Sequence, residues 1–133
     1  MLTTAKDFTV VLENKTGTLW KATDAIARAG VNIDGFSGSA ECGNTFHFLF
    51  TADFPTAKRA LEGAGFKVKA EHDVLLVDVE DRPGAAATIF QEVADRELNI
   101  ELVYLATKTR IVIGGAQVQQ IREALQPLTT AAR

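Results

Sequence analysis

One stretch of this chain occurs twice, and this repeat limits the possible folds more than any other sequence feature. Residues 8–33 and residues 75–100 align without a gap over 26 positions. Gly17 aligns with Gly84 at an offset of 67, and the same offset holds along the whole stretch. A constant offset over this length is typical of a duplicated structural unit, and amphipathic periodicity alone does not explain it.

The repeat divides the chain of 133 residues into two predicted units, residues 1–72 and residues 73–133, with Asp73 as the only break between the last strand of the first unit and the first strand of the second. Length alone favours a single domain, because domains commonly have roughly 100–200 residues. A later block of the repeat pairs residues 58–61 with residues 122–125 at an offset of 64. The second unit is therefore three residues shorter before that block.

Both units show the same order of periodic patterns. Alternating apolar residues at 8–12 indicate a strand, a turn containing Gly17 follows, and apolar residues spaced along one helix face come next. Two further strands and a second helix complete the pattern, and the first of these strands is predicted to begin at residues 31–33 in the first unit and 98–100 in the second. Residues 66–69 form the last strand of the first unit. Residues 127–133 carry no strand pattern, so we expect the last strand of the second unit to be short or absent.

Four side chains are predicted on the sheet face that points away from the helices: His47, Leu49, Val103 and Leu105. Because three of them are apolar, we expect this face to pack on something, most simply a second copy of the chain. A missing last strand would also leave an open strand edge, which favours pairing with another chain. We therefore expect a homodimer with twofold symmetry.

Composition argues against several classes of partner. The net charge is −3 and the basic residues are scattered, whereas duplex binding needs a clustered basic surface. The single cysteine, Cys42, leaves no intrachain disulfide and no cysteine-based metal site. No segment approaches the ~18 consecutive apolar residues of a membrane span, and the N-terminus lacks the apolar run of a signal peptide. We expect a cytoplasmic protein with no nucleic-acid or membrane partner.

Residues that commonly carry catalysis or hold metals form no recognisable group. His47 and His72 lie far apart without ligand spacing, and Gly114 is not followed by the pattern of a phosphate-binding loop. We therefore predict no catalytic residue, no metal and no cofactor. The alternative of a small enzyme of the acylphosphatase type would need an arginine-bearing loop after the first strand. Arg82 is the only residue that favours this alternative.

The turn motifs resemble those of the ACT domain family. The second unit carries Glu-Asp-Arg-Pro-Gly at 80–84 and Asn99 before its second strand. The first unit carries Glu-Asn-Lys-Thr-Gly at 13–17 and Asn32, with threonine in place of the usual proline. The resemblance covers nearly the whole chain and is closest to small stand-alone proteins of two tandem ACT domains.

The resemblance implies an α+β fold and a regulatory function. Each unit would be a ferredoxin-like βαββαβ sandwich, an antiparallel sheet with both helices on one face. ACT domains commonly sense amino acids and regulate biosynthetic enzymes, so we expect an amino-acid-binding sensor that is not itself an enzyme. The alternative is a regulatory subunit that docks on a biosynthetic enzyme without needing a ligand.

The resemblance also implies where a ligand would bind. The site would lie at an interface of two units, between the first strand–helix turn of one unit and the start of the second strand of its neighbour. Asn14 and Asn32 match the two asparagines of serine-sensing members, and Leu12 stands where their histidine would be. The candidate ligand-binding residues are Asn14, Lys15, Thr16, Gly17, Thr18, Leu19, Asn32, Ile33, Asp81, Arg82, Pro83, Gly84 and Asn99.

Physical chemistry favours the first unit as the better site. Backbone N–H groups at a helix start suit a carboxylate, and the amide of Asn14 both donates and accepts hydrogen bonds. Asp81 only accepts when ionised and repels a carboxylate. Gly35 and Gly38 predict room beside the second strand of the first unit, or else a bulged edge strand. Two alternatives to ligand binding stay open. Gly17 is also what a tight turn requires without any ligand, and the side chain of Asn32 is also suited to hydrogen-bonding backbone groups between the helix and the strand.

Overall fold

The computed structural model describes residues 2–131, which form an α+β fold, as predicted. Six strands and four α-helices lie in this part of the chain, with a short 3-10 turn at Ala40–Cys42. The elements are β1 (Leu2–Val11), α1 (Thr18–Arg28), β2 (Gly35–Ser39), β3 (Thr45–Phe50), α2 (Phe54–Gly63), β4 (Val68–Asp78), α3 (Ala85–Asp95), β5 (Leu102–Ala106), β6 (Arg110–Gly114) and α4 (Val118–Ala131).

The elements form two compact units. The first unit comprises residues 5–72, and the second comprises residues 2–4 and 73–131 of the described chain. β1 and β4 are long strands that contribute residues to both units.

The first unit has a βαββαβ order, with its strands arranged β2, β3, β1, β4 across the sheet. β3 pairs antiparallel with both β1 and β2, and Phe8 lies opposite Phe48. The helix-facing side chains of these strands form the core with Ile26 of α1 and Leu61 of α2. The rings of Phe8 and Phe50 meet edge to face, with centroids 5.0 Å apart. Each large apolar side chain buried in this way contributes about 1.5–3 kcal/mol.

The second unit builds a similar core from aliphatic side chains. Leu75 of β4 lies opposite Ile113 of β6, and both pack against Ile89 of α3 and Ile121 of α4. β5 pairs only with β6 in the strand order, so it is the outer strand of this unit. The two units therefore fill the same kind of core with different side chains, aromatic in the first unit and aliphatic in the second.

The N-terminal segment supplies the strand that the C-terminal segment of the second unit lacks. Residues 118–131 are helical, so no strand follows β6 in the described chain, as predicted. The start of β1 lies beside β4 instead. Leu2 packs on the aliphatic core, and Nη1 of Arg122 donates to Oγ1 of Thr4 at 3.2 Å.

Two predicted strand positions were wrong. Residues 31–33 and 98–100 lie in loops, because their backbone bonds return to the preceding helix: the N–H of Val31 donates to Ile26 and that of Leu98 to Val93. The strands begin only at Gly35 and Leu102.

Asp73 is not a break between strands, contrary to the sequence prediction. β4 runs continuously from Val68 to Asp78 through this residue. The side chain of Asp73 is exposed, so the backbone stays in the strand without burying a charge.

The prediction for the apolar sheet face was partly wrong. Val103 lies opposite Ile113, a core residue, so Val103 is on the helix side of the outer strand β5, as is Leu105. Both side chains are nevertheless exposed. His47 and Leu49 do lie on the other side, but Leu49 is fully buried within a single chain and needs no second copy to cover it.

The first helix of each unit ends in the same left-handed turn. Gly30 has φ 76° and Glu97, its counterpart in the repeat, has φ 56°. The N–H of each donates to the helix three residues back, Gly30 to Ala27 at 3.0 Å and Glu97 to Ala94 at 2.9 Å. Glycine adopts this conformation freely, whereas glutamate is strained in it.

We expect Glu97→Gly to raise the free energy of unfolding by about 0.5–1 kcal/mol. Left-handed backbone costs a residue with a side chain about 1–2 kcal/mol, and the freer unfolded chain of the glycine variant offsets part of that gain. Urea unfolding of the two proteins measures the difference. Gly30→Ala is the matched control and should lower stability. A lower stability for Glu97→Gly would contradict the prediction.

Candidate functional site

The turn between the first strand and first helix has the same geometry in both units. Gly17 and Gly84 each have φ 88° and precede the helix as the N-cap residue. The N–H of Lys15 donates to Glu13 at 2.9 Å, and that of Arg82 donates to Glu80 at 3.0 Å. The predicted glycine turn is therefore present twice, at the predicted offset.

The start of α1 presents free hydrogen-bond donors. Gly17 caps the helix without a side-chain hydrogen bond, and the first intrahelical bond runs from the N–H of Lys21 to the carbonyl of Gly17 at 2.9 Å. Within residues 2–131, the N–H groups of Leu19 and Trp20 have no protein acceptor. Free donors together with the positive end of the helix dipole favour an anion here.

The hydroxyl of Thr18 adds an unsatisfied donor at the same place. Thr18 is only 8% exposed, and its Oγ1 is buried with no hydrogen-bond partner in the described chain. A buried hydroxyl without a partner is costly, so such groups are uncommon in folded proteins. Sequence reasoning included Thr18 only for its backbone N–H and missed its hydroxyl.

Three cavities in the first unit surround this helix. The largest, here called the lysine cavity, has a volume of about 620 Å³ and extends from the helix start to the turn before β4. The second, the asparagine cavity, measures about 200 Å³ and is lined by Asn14, Thr18, Leu19 and Asn44. The third measures about 410 Å³ and is lined by Trp20, Asn32 and Ile33, among others. Asn14 and Asn32 therefore line different cavities of the same unit.

Asn32 belongs to a local hydrogen-bond network. Its Nδ2 donates to Oδ1 of Asp34 at 3.3 Å, and the other carboxylate oxygen accepts from Thr51 Oγ1 at 3.0 Å. Asp34 is 8% exposed, so this carboxylate ties the loop before β2 to the end of β3. Sequence reasoning did not single out Asp34, because its partner lies 17 residues away.

The glycine in β2 makes room for a side chain of the same unit. A Cβ placed on Gly38 would lie 2.2 Å from the ring of Phe46, its partner across the strands. The room that the glycines predict beside this strand is therefore filled at Gly38 by the ring of Phe46.

The second unit gathers fewer of the predicted residues. A cavity of about 370 Å³ is lined by Arg82 but not by Asp81, Pro83, Gly84 or Asn99. Arg82 pairs with Glu80. The Asn99 side chain is exposed, while its backbone N–H donates to Gln117 at 2.8 Å.

His47 forms an ion pair inside the first unit. Its Nδ1 lies 2.9 Å from Oδ2 of Asp7, whose side chain is fully buried. The hydrogen bond to Asp7 raises the pKa of His47 above 6.5, with a further contribution from the negative charge, although partial burial opposes the shift. The pair holds β1 to β3, and within the described residues no group of His, Cys, Asp and Glu is arranged to bind a metal ion.

We expect this pair to make stability depend on pH. Below the unfolded pKa of about 6.5 the contribution of protonated His47 is fully present, and it is lost as the pH rises through the higher folded-state pKa. The free energy of unfolding should therefore fall as the pH rises above this value, and fall less in His47→Gln. Urea unfolding across a pH series measures both slopes, with the exposed His72→Gln as control. Equal slopes for the parent and His47→Gln would contradict the assignment.

Residues 74–128, which lie in the second unit, match the family model of the ACT domain. The second unit is therefore similar to ACT domains over most of its length. No curated protein matches the chain in sequence. In the described part of the chain, no helix is long and apolar enough to cross a membrane.

Solved structures with this fold cover both the ACT domain and the first unit. Protein BT0572 from Bacteroides thetaiotaomicron is 25% identical, with a TM-score of 0.75 over 96% of this chain and 90% of that one. The regulatory subunit of aspartate kinase from Thermus flavus is 21% identical, with a TM-score of 0.63 over 96% and 93%. E. coli aspartokinase III in complex with lysine and aspartate is 14% identical, with a TM-score of 0.60 over 96% of this chain but 32% of its own.

Proposed function

We propose that this chain is an amino-acid-binding regulatory protein of two ACT units, without catalytic activity, that acts on a biosynthetic enzyme. The βαββα order and the glycine turn of residues 74–128, which match the ACT model, recur in the first unit. The fold also covers nearly all of a protein described as the regulatory subunit of an aspartate kinase. These likenesses support a regulatory role for both units.

The start of α1 in the first unit carries the proposal. Free N–H groups at a helix start bind a carboxylate, and the amide of Asn14 beside them can accept from an ammonium group. An α-amino acid presents both groups on neighbouring atoms. In the second unit, Asp81 replaces this asparagine and its carboxylate repels that of the ligand, so we assign the higher-affinity site to the first unit.

We further propose that two copies of the chain complete the site. Asn14 and Asn32 line separate cavities of one unit, so a small ligand held by both would take Asn14 from one copy and Asn32 from the other. β2, which follows Asn32, is the outer strand of the first unit and has a free edge for pairing. Phe36 on this strand is 55% exposed, and a second copy would cover it.

Asn14→Ala and Asn32→Ala should each weaken amino-acid binding roughly ten- to a hundredfold. A hydrogen bond to a charged ligand group contributes about 1.5–3 kcal/mol. A thermal-shift screen of the common amino acids identifies the ligand, and calorimetric titration then compares the variants. Asn99→Ala is the matched control and should bind almost as well as the parent. Loss of binding in Asn99→Ala with intact binding in Asn14→Ala would place the site in the second unit.

The parent protein should behave as a dimer in solution, because each copy alone carries only part of the proposed site. Light scattering across a range of protein concentrations measures the mass, with and without the amino acid found by the screen. Phe36→Lys should shift the equilibrium toward the monomer, because it places a charge in the proposed contact. A monomer mass for the parent at high micromolar concentration would contradict the dimer.

A second function is a ligand-independent subunit that docks on an enzyme. Large exposed apolar side chains favour it: Trp20 is 68% exposed and Leu105 is 67% exposed. Isolated exposed apolar residues are common on protein surfaces. Their exposure therefore supports this second function less strongly than the helix-start donors support amino-acid binding. If no amino acid stabilises the parent protein, this function takes the lead.

A further inference from the structure

The lysine cavity is the largest of the three cavities around α1, and Trp20, Lys21 and residues 64–67 of its lining were not among the predicted site residues. It opens between the start of α1 and residues 64–67, which lead into β4. Trp20 and Phe66 provide aromatic surface on its lining. Its volume of about 620 Å³ lies within the range of about 300–1,000 Å³ typical of small-molecule sites.

The charges on the cavity lining are mostly positive. Lys15, Lys21 and Lys67 line it together with one acid, Glu13. Glu13 pairs with Lys15 at 3.1 Å. No carboxylate within residues 2–131 pairs with Lys21 or Lys67, and the Nζ of Lys21 lies 5.9 Å from the centroid of the Phe66 ring. The lining therefore keeps two positive charges that no acid on it neutralises.

The helix start adds neutral donors to these charges. Thr18 lines the cavity, and its buried hydroxyl has no partner within the described chain. The N–H groups of Leu19 and Trp20 also lack protein acceptors in the described chain. Oxygen atoms of an anion satisfy all of these donors, and a polar group buried without a partner is itself destabilising.

We propose that the lysine cavity binds a small molecule with two negative charges, a dicarboxylate or a phosphomonoester. One anionic group binds at the helix start with Thr18, and Lys21 and Lys67 balance the other charge. The carbon skeleton packs against Phe66 and Trp20. Thr18 lines both this cavity and the asparagine cavity, whereas Lys21, Phe66 and Lys67 do not line the asparagine cavity. Substitutions of the two lysines therefore test this site separately from amino-acid binding at Asn14.

Trp20 is the single tryptophan of the chain, so its fluorescence reports on this cavity. The full chain is titrated at low ionic strength with succinate, with inorganic phosphate, and with acetate as a monoanion control. Binding of succinate alone assigns a dicarboxylate, and binding of phosphate alone assigns a phosphomonoester; binding of both supports the shared dianion site. Binding of neither, or affinity equal to that for acetate, overturns the proposal.

Lysine variants locate the site. Lys67→Gln and Lys21→Gln should each weaken binding of the dianion roughly ten- to a hundredfold, because each removes a charged contact. Lys69→Gln is the matched control, since Lys69 is an exposed lysine on β4 that does not line the cavity. Equal affinities for Lys67→Gln and Lys69→Gln would overturn the assignment, even if amino acids bind at Asn14.

Thr18→Val separates a ligand contact from a structural role. Valine has the shape of threonine without the unsatisfied hydroxyl, so the ligand-free variant should melt at a higher temperature than the parent. The dianion should nevertheless raise its melting temperature less than it raises that of the parent. A variant that is more stable and keeps the full ligand-induced shift would show that the hydroxyl does not contact the ligand, and would overturn its role.

Discussion

The left-handed glycine before the first helix is the constraint on which the candidate sites depend. With φ 88°, Gly17 turns the chain from the end of β1 directly into α1, which leaves the first N–H groups of the helix without side-chain caps. A residue with a side chain would be strained in this conformation. The asparagine cavity and the lysine cavity both border this turn, so one backbone geometry supplies donors to both.

The two units use the same turn with different charges. In the first unit, Lys15 pairs with Glu13 while Lys21 and Lys67 keep their charge toward the lysine cavity. In the second unit, Arg82 pairs with Glu80, and Asp81 stands where the first unit has an asparagine. The duplicated fold therefore carries two distinct electrostatic environments. This difference is the physical basis for assigning both proposed ligand sites to the first unit.

Local patterns predicted most of the elements. The alternation of residues 8–12 and the apolar spacing on α1 predicted strand and helix because their periods follow from backbone geometry. The start of β2 was predicted too early. The N–H of Val31 bonds to the end of α1 instead of to a neighbouring strand, and such a bond produces no periodic pattern in the sequence. The predicted site residues include the glycine turn, which the structure forms, but they leave out the Thr18 hydroxyl and Asp34, because both groups are distinguished only by their burial.

By itself, the sequence determined the duplication, the βαββαβ order and the glycine turns, since each depends on residues close together along the chain. Tertiary structure alone decided which distant residues meet. Residues 2–4 take the place beside β4 that the C-terminal segment leaves open, Asp7 meets His47 across 40 positions, and the ring of Phe46 fills the space above Gly38. These contacts depend on strand register and on burial, and both are set only when the strands have paired. The physical reason is that the register decides whether a side chain faces the core or the solvent.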